Sequence, residues 1–157
     1  MAFSFFDAII PTYQQILGSV ARWLDKAEAF DAENPGSTSI IEARLAPDML
    51  PFGYQVKSTV SHSLGAINDV RNGHSTPDRT PWPTDFEGLR AKLALAQAGL
   101  SKVTPAEMDG FVGRAMRFSF GEVSLDFTAE DFLLSFAQPN FYFHATTAYA
   151  LLRANGV

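Results

Sequence analysis

Apolar residues recur along this chain with two different periods, and the point where one gives way to the other limits the fold more than any other feature. From Phe3 to Phe30, the residues Phe6, Ile9, Ile10, Tyr13, Ile16, Leu17, Val20, Trp23, Leu24 and Ala27 follow at steps of three and four, the spacing of one helix face. Pro11 falls inside that stretch and is expected to kink its first turns, and Asn34-Pro35-Gly36 ends it. A short helical patch over 39–45 leads to the Ala46-Pro47-Asp48 corner. Phe52, Val56, Val60, Leu64, Ile67 and Val70 mark a second long helix from near Pro51 to Asn72-Gly73, and the proline-rich stretch 74–83 reads as a loop. Thr84 with Glu87 has the form of a capping box and opens a third helix through Leu89, Leu93 and Leu95 to about Val103.

The period then drops to two. Met116, Phe118 and Phe120 alternate with polar residues, Gly121-Glu122 supplies a turn, and Val123, Leu125 and Phe127 alternate again, which predicts a β-hairpin. Thr128 with Asp131 forms another N-cap signal, and a last helix is expected over roughly Ala129 to Ala154, bent at Pro139. The fold class is therefore mainly α: a four-helix bundle with a short β-hairpin before the last helix, built as a single domain over residues 1–157.

Composition narrows the function classes. In 157 residues, 12 Lys+Arg against 17 Asp+Glu leave a net charge of −5, so neither nucleic acid nor an anionic membrane surface is an expected partner. The absence of cysteine excludes disulfides, thiolate catalysis, iron–sulfur clusters and every Cys-containing zinc site. The N-terminal stretch Met1 to Gln15 has no cationic run, and no apolar run approaches the roughly 18 residues of a membrane span, so a cytoplasmic location is expected. No Gly-x-Gly-x-x-Gly, phosphate-loop, His-Glu-x-x-His or Gly-x-Ser-x-Gly string occurs, which leaves nucleotide-binding, zincin and hydrolase readings without local support.

Three histidines remain as candidates for acid–base or ligand chemistry. His74 lies in the polar loop and reads as solvated. His144 shares a helix face with Asn140, Phe141, Thr147, Ala148, Leu151 and Leu152, so its imidazole is expected to point inward, either as a core histidine held by a hydrogen bond or as the polar anchor of a pocket. His62 lies to one side of the second helix's apolar stripe, in a polar strip with Gln55 and Asp69. It is either solvated or, where Ser61, Gly65 and Ala66 let another helix approach, part of a cavity wall with them. Asp25 and Glu28, beside Lys26, read as a solvated charged face. Fourteen phenylalanines are many for this length; most read as core, while the outward Tyr142 and Tyr149, with the first helix, suggest a subunit interface and hence a homodimer.

Several strings also resemble a bacterial family. They are Leu24-Asp25-Lys26-Ala27-Glu28-Ala29, Ala43-Arg44-Leu45-Ala46-Pro47-Asp48-Met49, Gln55-Val56, His62 with Gly65-Ala66, and Pro139-Asn140-Phe141-Tyr142-Phe143-His144-Ala145-Thr146-Thr147-Ala148-Tyr149. The family is a domain of unknown function grouped with the DinB/YfiT-like metalloenzyme superfamily, and the likeness covers nearly the whole chain in order. It implies the same four-helix bundle. It also implies a divalent metal held by one histidine on the second helix and a His-x-x-x-His pair on the fourth. His62 and His144 match the first two positions, but Ala148 stands at the third, Ser61 where relatives have Asp, and Phe30 where they have a further His. A zinc or nickel ion on His62 and His144 would then need a carboxylate and water to complete its shell.

Two classes of function follow. One is a small-molecule-binding or interaction module in which His144, His62, Gln55 and Asn140 line a pocket without a metal or other cofactor. The other is a divalent-metal-dependent enzyme similar to the superfamily's thiol transferases, in which a metal on His62 and His144 would activate a low-molecular-weight thiol.

Overall fold

The computed structural model describes residues 4–157; Phe3, where the first helical pattern begins, lies outside the described residues. The first helix, Phe5–Glu33, starts with a capping box: Ser4 Oγ accepts from the Asp7 amide at 3.1 Å while Asp7 Oδ2 accepts from the Ser4 amide. It stays helical through Pro11, and its buried stripe is the predicted one, with Ile9, Ile10, Tyr13, Leu17, Val20, Leu24 and Ala27 all inside. The expected patch after it shrinks to a single 3-10 turn, Ile40–Glu42, capped by Ser39.

The second and last helices run where the periodicity placed them, over 52–72 and 129–154, but each carries a π-helical segment that side-chain periodicity cannot reveal. In the second helix this is Ser61–Gly65. Thr59 and Ser63 hydroxyls there donate to the carbonyls of Val56 and Thr59, at 2.7 and 2.6 Å, bonds that compete with the backbone ladder. In the last helix it is Phe132–Ala137, immediately before Pro139. Proline has no N–H to continue an α ladder, and the Gln138 amide instead reaches back to the Leu133 carbonyl.

The third helix is Phe86–Leu100, and its cap is corrected from the expectation: Asp85, not Thr84, accepts from the Gly88 amide at 2.7 Å. Both residues are good N-caps, and the choice falls where Phe86 becomes the first residue to bury. A further short helix, Pro105–Asp109, follows under a Thr104 cap. The hairpin is present as Ala115–Phe120 and Val123–Thr128, joined by Gly121-Glu122 with Gly121 at φ 59°, and Thr128 caps the last helix as predicted. The loop after Gly73 contributes a third, parallel strand, His74–Ser75, on the hairpin's free edge.

In the bundle the first helix packs on the third and the last, and the second likewise touches the third and the last, enclosing one continuous core. The close helix approach expected at Gly65 occurs elsewhere: a Cβ at Gly99 of the third helix would run into Leu64, whereas Gly65 and Ala66 border open space. Among the described residues no helix is long and apolar enough to cross a membrane.

Candidate functional site

The two π segments face each other, and between them lies a cavity of about 520 Å³. All four predicted pocket residues are at or beside it. His144, His62 and Asn140 line it directly, and Gln55 stands behind His144 as its hydrogen-bond partner. His74 does not join them: it is exposed and meets only Ser119 Oγ, at 3.2 Å.

Gln55 decides the state of His144. Its Nε2 donates to the Leu50 carbonyl at 2.9 Å, which turns its Oε1 toward His144 Nδ1 at 2.7 Å. An amide oxygen can only accept, so the imidazole carries its proton on Nδ1 and presents the Nε2 lone pair, which has no partner within the described residues. His144 is only 9% exposed, and burial, reinforced by the nearby His62, lowers its pKa to about 4. Burial does the same to His62, also to about 4. Near neutral pH the cavity therefore holds two uncharged imidazoles. Their rings stack 11° from parallel with centroids 5.3 Å apart, and Phe136 meets the His62 ring edge-on at 6.4 Å.

The rest of the wall was not legible in the sequence because it is assembled across long separations. Phe118 and Phe127 of the hairpin pack on Phe136 at 4.8 and 5.9 Å between centroids, so the sheet's apolar face closes one side of the cavity. Tyr54 contacts His144 edge-on at 5.9 Å. Opposite, a strap over 76–80 is fastened to the second helix by Lys57, whose side chain is 2% exposed. Its ammonium donates to the Asp78 and Thr80 carbonyls and pairs with Asp78 Oδ1 at 3.2 Å. Burial alone would raise the Asp78 pKa, but hydrogen bonds from the Thr80 hydroxyl and amide, Lys57 and Ser61 outweigh it and hold the carboxyl at about 2. Asn140 spends its amide nitrogen on the Phe136 carbonyl at 2.7 Å, which leaves its oxygen free.

The donor set is short of what a divalent metal needs. The two rings stand close enough to share an ion, with centroids 5.3 Å apart, but they supply only two nitrogens. Gln55 holds His144 Nδ1 and leaves Nε2 free, as for many metal-bound histidines, but one turn on, at the remaining position of the pair, stands Ala148, buried in the core. Among the described residues no three His, Cys, Asp or Glu side chains gather as a metal site would require.

A second concavity, about 310 Å³, opens on the other side of the last helix. Ile16, Ser19 and Trp23 of the first helix border it with Tyr142, Ala145, Thr146 and Tyr149, and Trp23 and Tyr149 pack at 5.4 Å. It contains the outward tyrosines singled out in the sequence. Asp25 and Glu28, as expected, stay on an exposed charged face, where they hold Arg90.

Comparison with known proteins agrees with this geometry. The family model described as "Domain of unknown function (DUF1993)" matches residues 5–157. The chain belongs to the DUF1993 family. Among solved structures, a crystal structure of a DinB family member protein from Shewanella denitrificans superposes with a TM-score of 0.77 at 25% identity, covering 97% of this chain and 86% of that one. The DUF1993 bundle is thus DinB-like, as the sequence strings implied. No match was found among curated proteins.

Proposed function

We propose that this DUF1993 chain is a small-ligand-binding module whose binding site is the cavity between the second and last helices. The observation that carries the reading is the Leu50–Gln55–His144 relay, which fixes one tautomer of a buried imidazole and leaves its Nε2 lone pair aimed at a 520 Å³ space. Pockets of about 300–1,000 Å³ lined by aromatic groups with a few oriented polar atoms are the usual form of small-molecule sites. A histidine serving only the core would spend both nitrogens inside it.

The test is a fragment screen by ligand-observed NMR on the wild type and on His144→Ala. Fragments that bind the wild type and are lost from a folded His144→Ala support the reading, whereas a variant that loses about 1–3 kcal/mol of stability but keeps the same binders overturns it. Elemental analysis of untagged protein is the second arm. Stoichiometric zinc or nickel on His62 and His144 would overturn the metal-free module in favour of the thiol-transferase-like enzyme.

We also propose that the chain forms a homodimer through the groove around Trp23, Tyr142 and Tyr149, an apolar surface of the kind subunit contacts cover. Sedimentation that shows a monomer at micromolar concentration overturns this.

A further inference from the structure

The polar wall of the main cavity mixes hydroxyls and the Asn68 amide with oriented acceptors, but its one uncompensated formal charge is negative. No Lys or Arg side chain lines it. Two carboxylates do, Asp69 and Asp78, and Asp78 is already paired with Lys57. Asp69 has no Lys or Arg partner among the described residues; its Oδ2 accepts from Ser75 Oγ at 2.6 Å. His144 Nε2 and the Asn140 side-chain oxygen are acceptors by the bonds their other atoms make. Phe118, Phe132 and Phe136 supply a continuous aromatic face.

A charge left without a counter-ion in a partly buried wall is costly, and the cavity lets a ligand supply the missing cation. The Asp69 pKa is raised, first by burial, as expected for a carboxylate short of a cation. An anion would meet Asp69 with no cation to offset it. Aromatic faces add an attraction for an ammonium or for the aryl group beside one. Asp69 stands seven residues beyond His62 on the same helix, which at 1.5 Å per residue is roughly 10 Å. One ammonium therefore does not span both ends of the site, and a longer molecule with a second donor does.

Resting on the binding-module reading, we infer that the cavity takes a small organic amine: its ammonium on Asp69, its apolar body along Phe118 and Phe136, and a hydroxyl or N–H donor at its far end on His144 Nε2. Arylalkylamines with a phenolic hydroxyl have this pattern, and the direction of selection is amine over neutral over acid.

Titration calorimetry with a matched series tests the assignment. Tyramine carries both features, phenethylamine lacks the distal donor, 4-ethylphenol lacks the charge, and 3-(4-hydroxyphenyl)propionate reverses it. Tyramine is expected to bind at least tenfold more tightly than 4-ethylphenol, with the propionate weakest. Phenethylamine is expected to lose affinity relative to tyramine on the wild type but not on His144→Ala. Asp69→Asn should bring tyramine and 4-ethylphenol within about twofold of each other. If the propionate or 4-ethylphenol binds as well as tyramine to the wild type, the amine assignment falls while the binding module stands. If no member binds but the fragment screen yields His144-dependent binders of other chemistry, the amine assignment again falls alone. If neither set binds, both readings fall. The wild-type series is decisive even if Asp69→Asn does not fold.

Discussion

The last helix separates two hollows of opposite character. On one side lies the cavity around His144, enclosed by two helices, the small sheet and the Lys57 strap, with polar atoms held in set orientations. On the other is the shallow groove of Ile16, Trp23, Tyr142 and Tyr149, apolar and without an oriented polar network. The backbone differs accordingly. The helices leave α geometry only where they border the polar cavity, at Ser61–Gly65 and Phe132–Ala137, while Tyr142 and Tyr149 project from regular α-helix. Irregular turns of this type recur at functional sites because they move carbonyls and side chains out of the ladder. The contrast assigns recognition of a small polar molecule to the first hollow and protein contact to the second.

The largest effect should come from breaking the strap of the polar cavity. Lys57→Met leaves the Asp78 and Thr80 carbonyls without their donor and Asp78 without its cation, and is expected to cost about 2–4 kcal/mol in urea denaturation. Arg90→Ala removes only exposed ion pairs and should cost less than about 1 kcal/mol by the same measurement. Equal losses would mean that the strap is not the fastening described.

Acid should act on the polar hollow and leave the apolar one indifferent. His62 and His144 titrate near 4 when folded against about 6.5 unfolded, so the unfolded chain binds more protons between those values and stability falls as the pH drops through that window. The groups facing the pair are Tyr54, Gln55 and Asn140, with Asp69 and Asp78 farther along the wall. Both rings add to the loss, and the second adds more because it charges against the first. Replacing both histidines with Gln should flatten the profile between pH 6.5 and 4; an unchanged slope would contradict the buried neutral pair.

Gln55→Leu sharpens the comparison further. It leaves His144 Nδ1–H and the Leu50 carbonyl unpaired, for about 1–3 kcal/mol, and releases the tautomer. Nitrogen NMR of the ring should change from a single Nδ1–H form to a mixture, and a single form persisting in the variant would show that Gln55 does not set it. The smallest effect is expected in the apolar groove. Tyr149→Ser gives up the Trp23 contact for about 1 kcal/mol, yet should convert the proposed dimer to monomer in sedimentation.

How much of this the sequence disclosed follows from the range of the interactions. Helices and hairpin were legible because burial imposes periods of 3.6 and 2.0 on neighbouring residues, and Phe52 to Val70 or Met116 to Phe127 carry those periods plainly. The inward position of His144 came from the same arithmetic. Thr84 and Asp85 could not be separated locally, since both have the right chemistry one residue apart. The π segments left only indirect marks, the hydroxyl run Ser58, Thr59, Ser61 and Ser63 and the proline at 139. The pairing of Lys57 with Asp78, the turning of Gln55 toward His144 and the approach of Phe118 to Phe136 depend on tertiary contacts across 18 to 89 residues and have no local signature.

The π segment before Pro139 has one more consequence, which concerns heredity rather than energy. Each π turn holds about one residue more than the α turn it replaces, so it absorbs that residue without turning the helix that follows. A single in-frame codon deletion within Phe132–Ala137 would let this turn close as α, with only the carbonyl opposite Pro139 still lacking its ladder partner. The residues on either side would keep their faces, since a π turn and an α turn each close one full turn, and only the wide turn's own side chains, Phe132 and Phe136 among them, would be reset against the hairpin. The aromatic wall of the cavity can therefore be reshaped by a gap that leaves His62 and His144 in place and readable in an alignment.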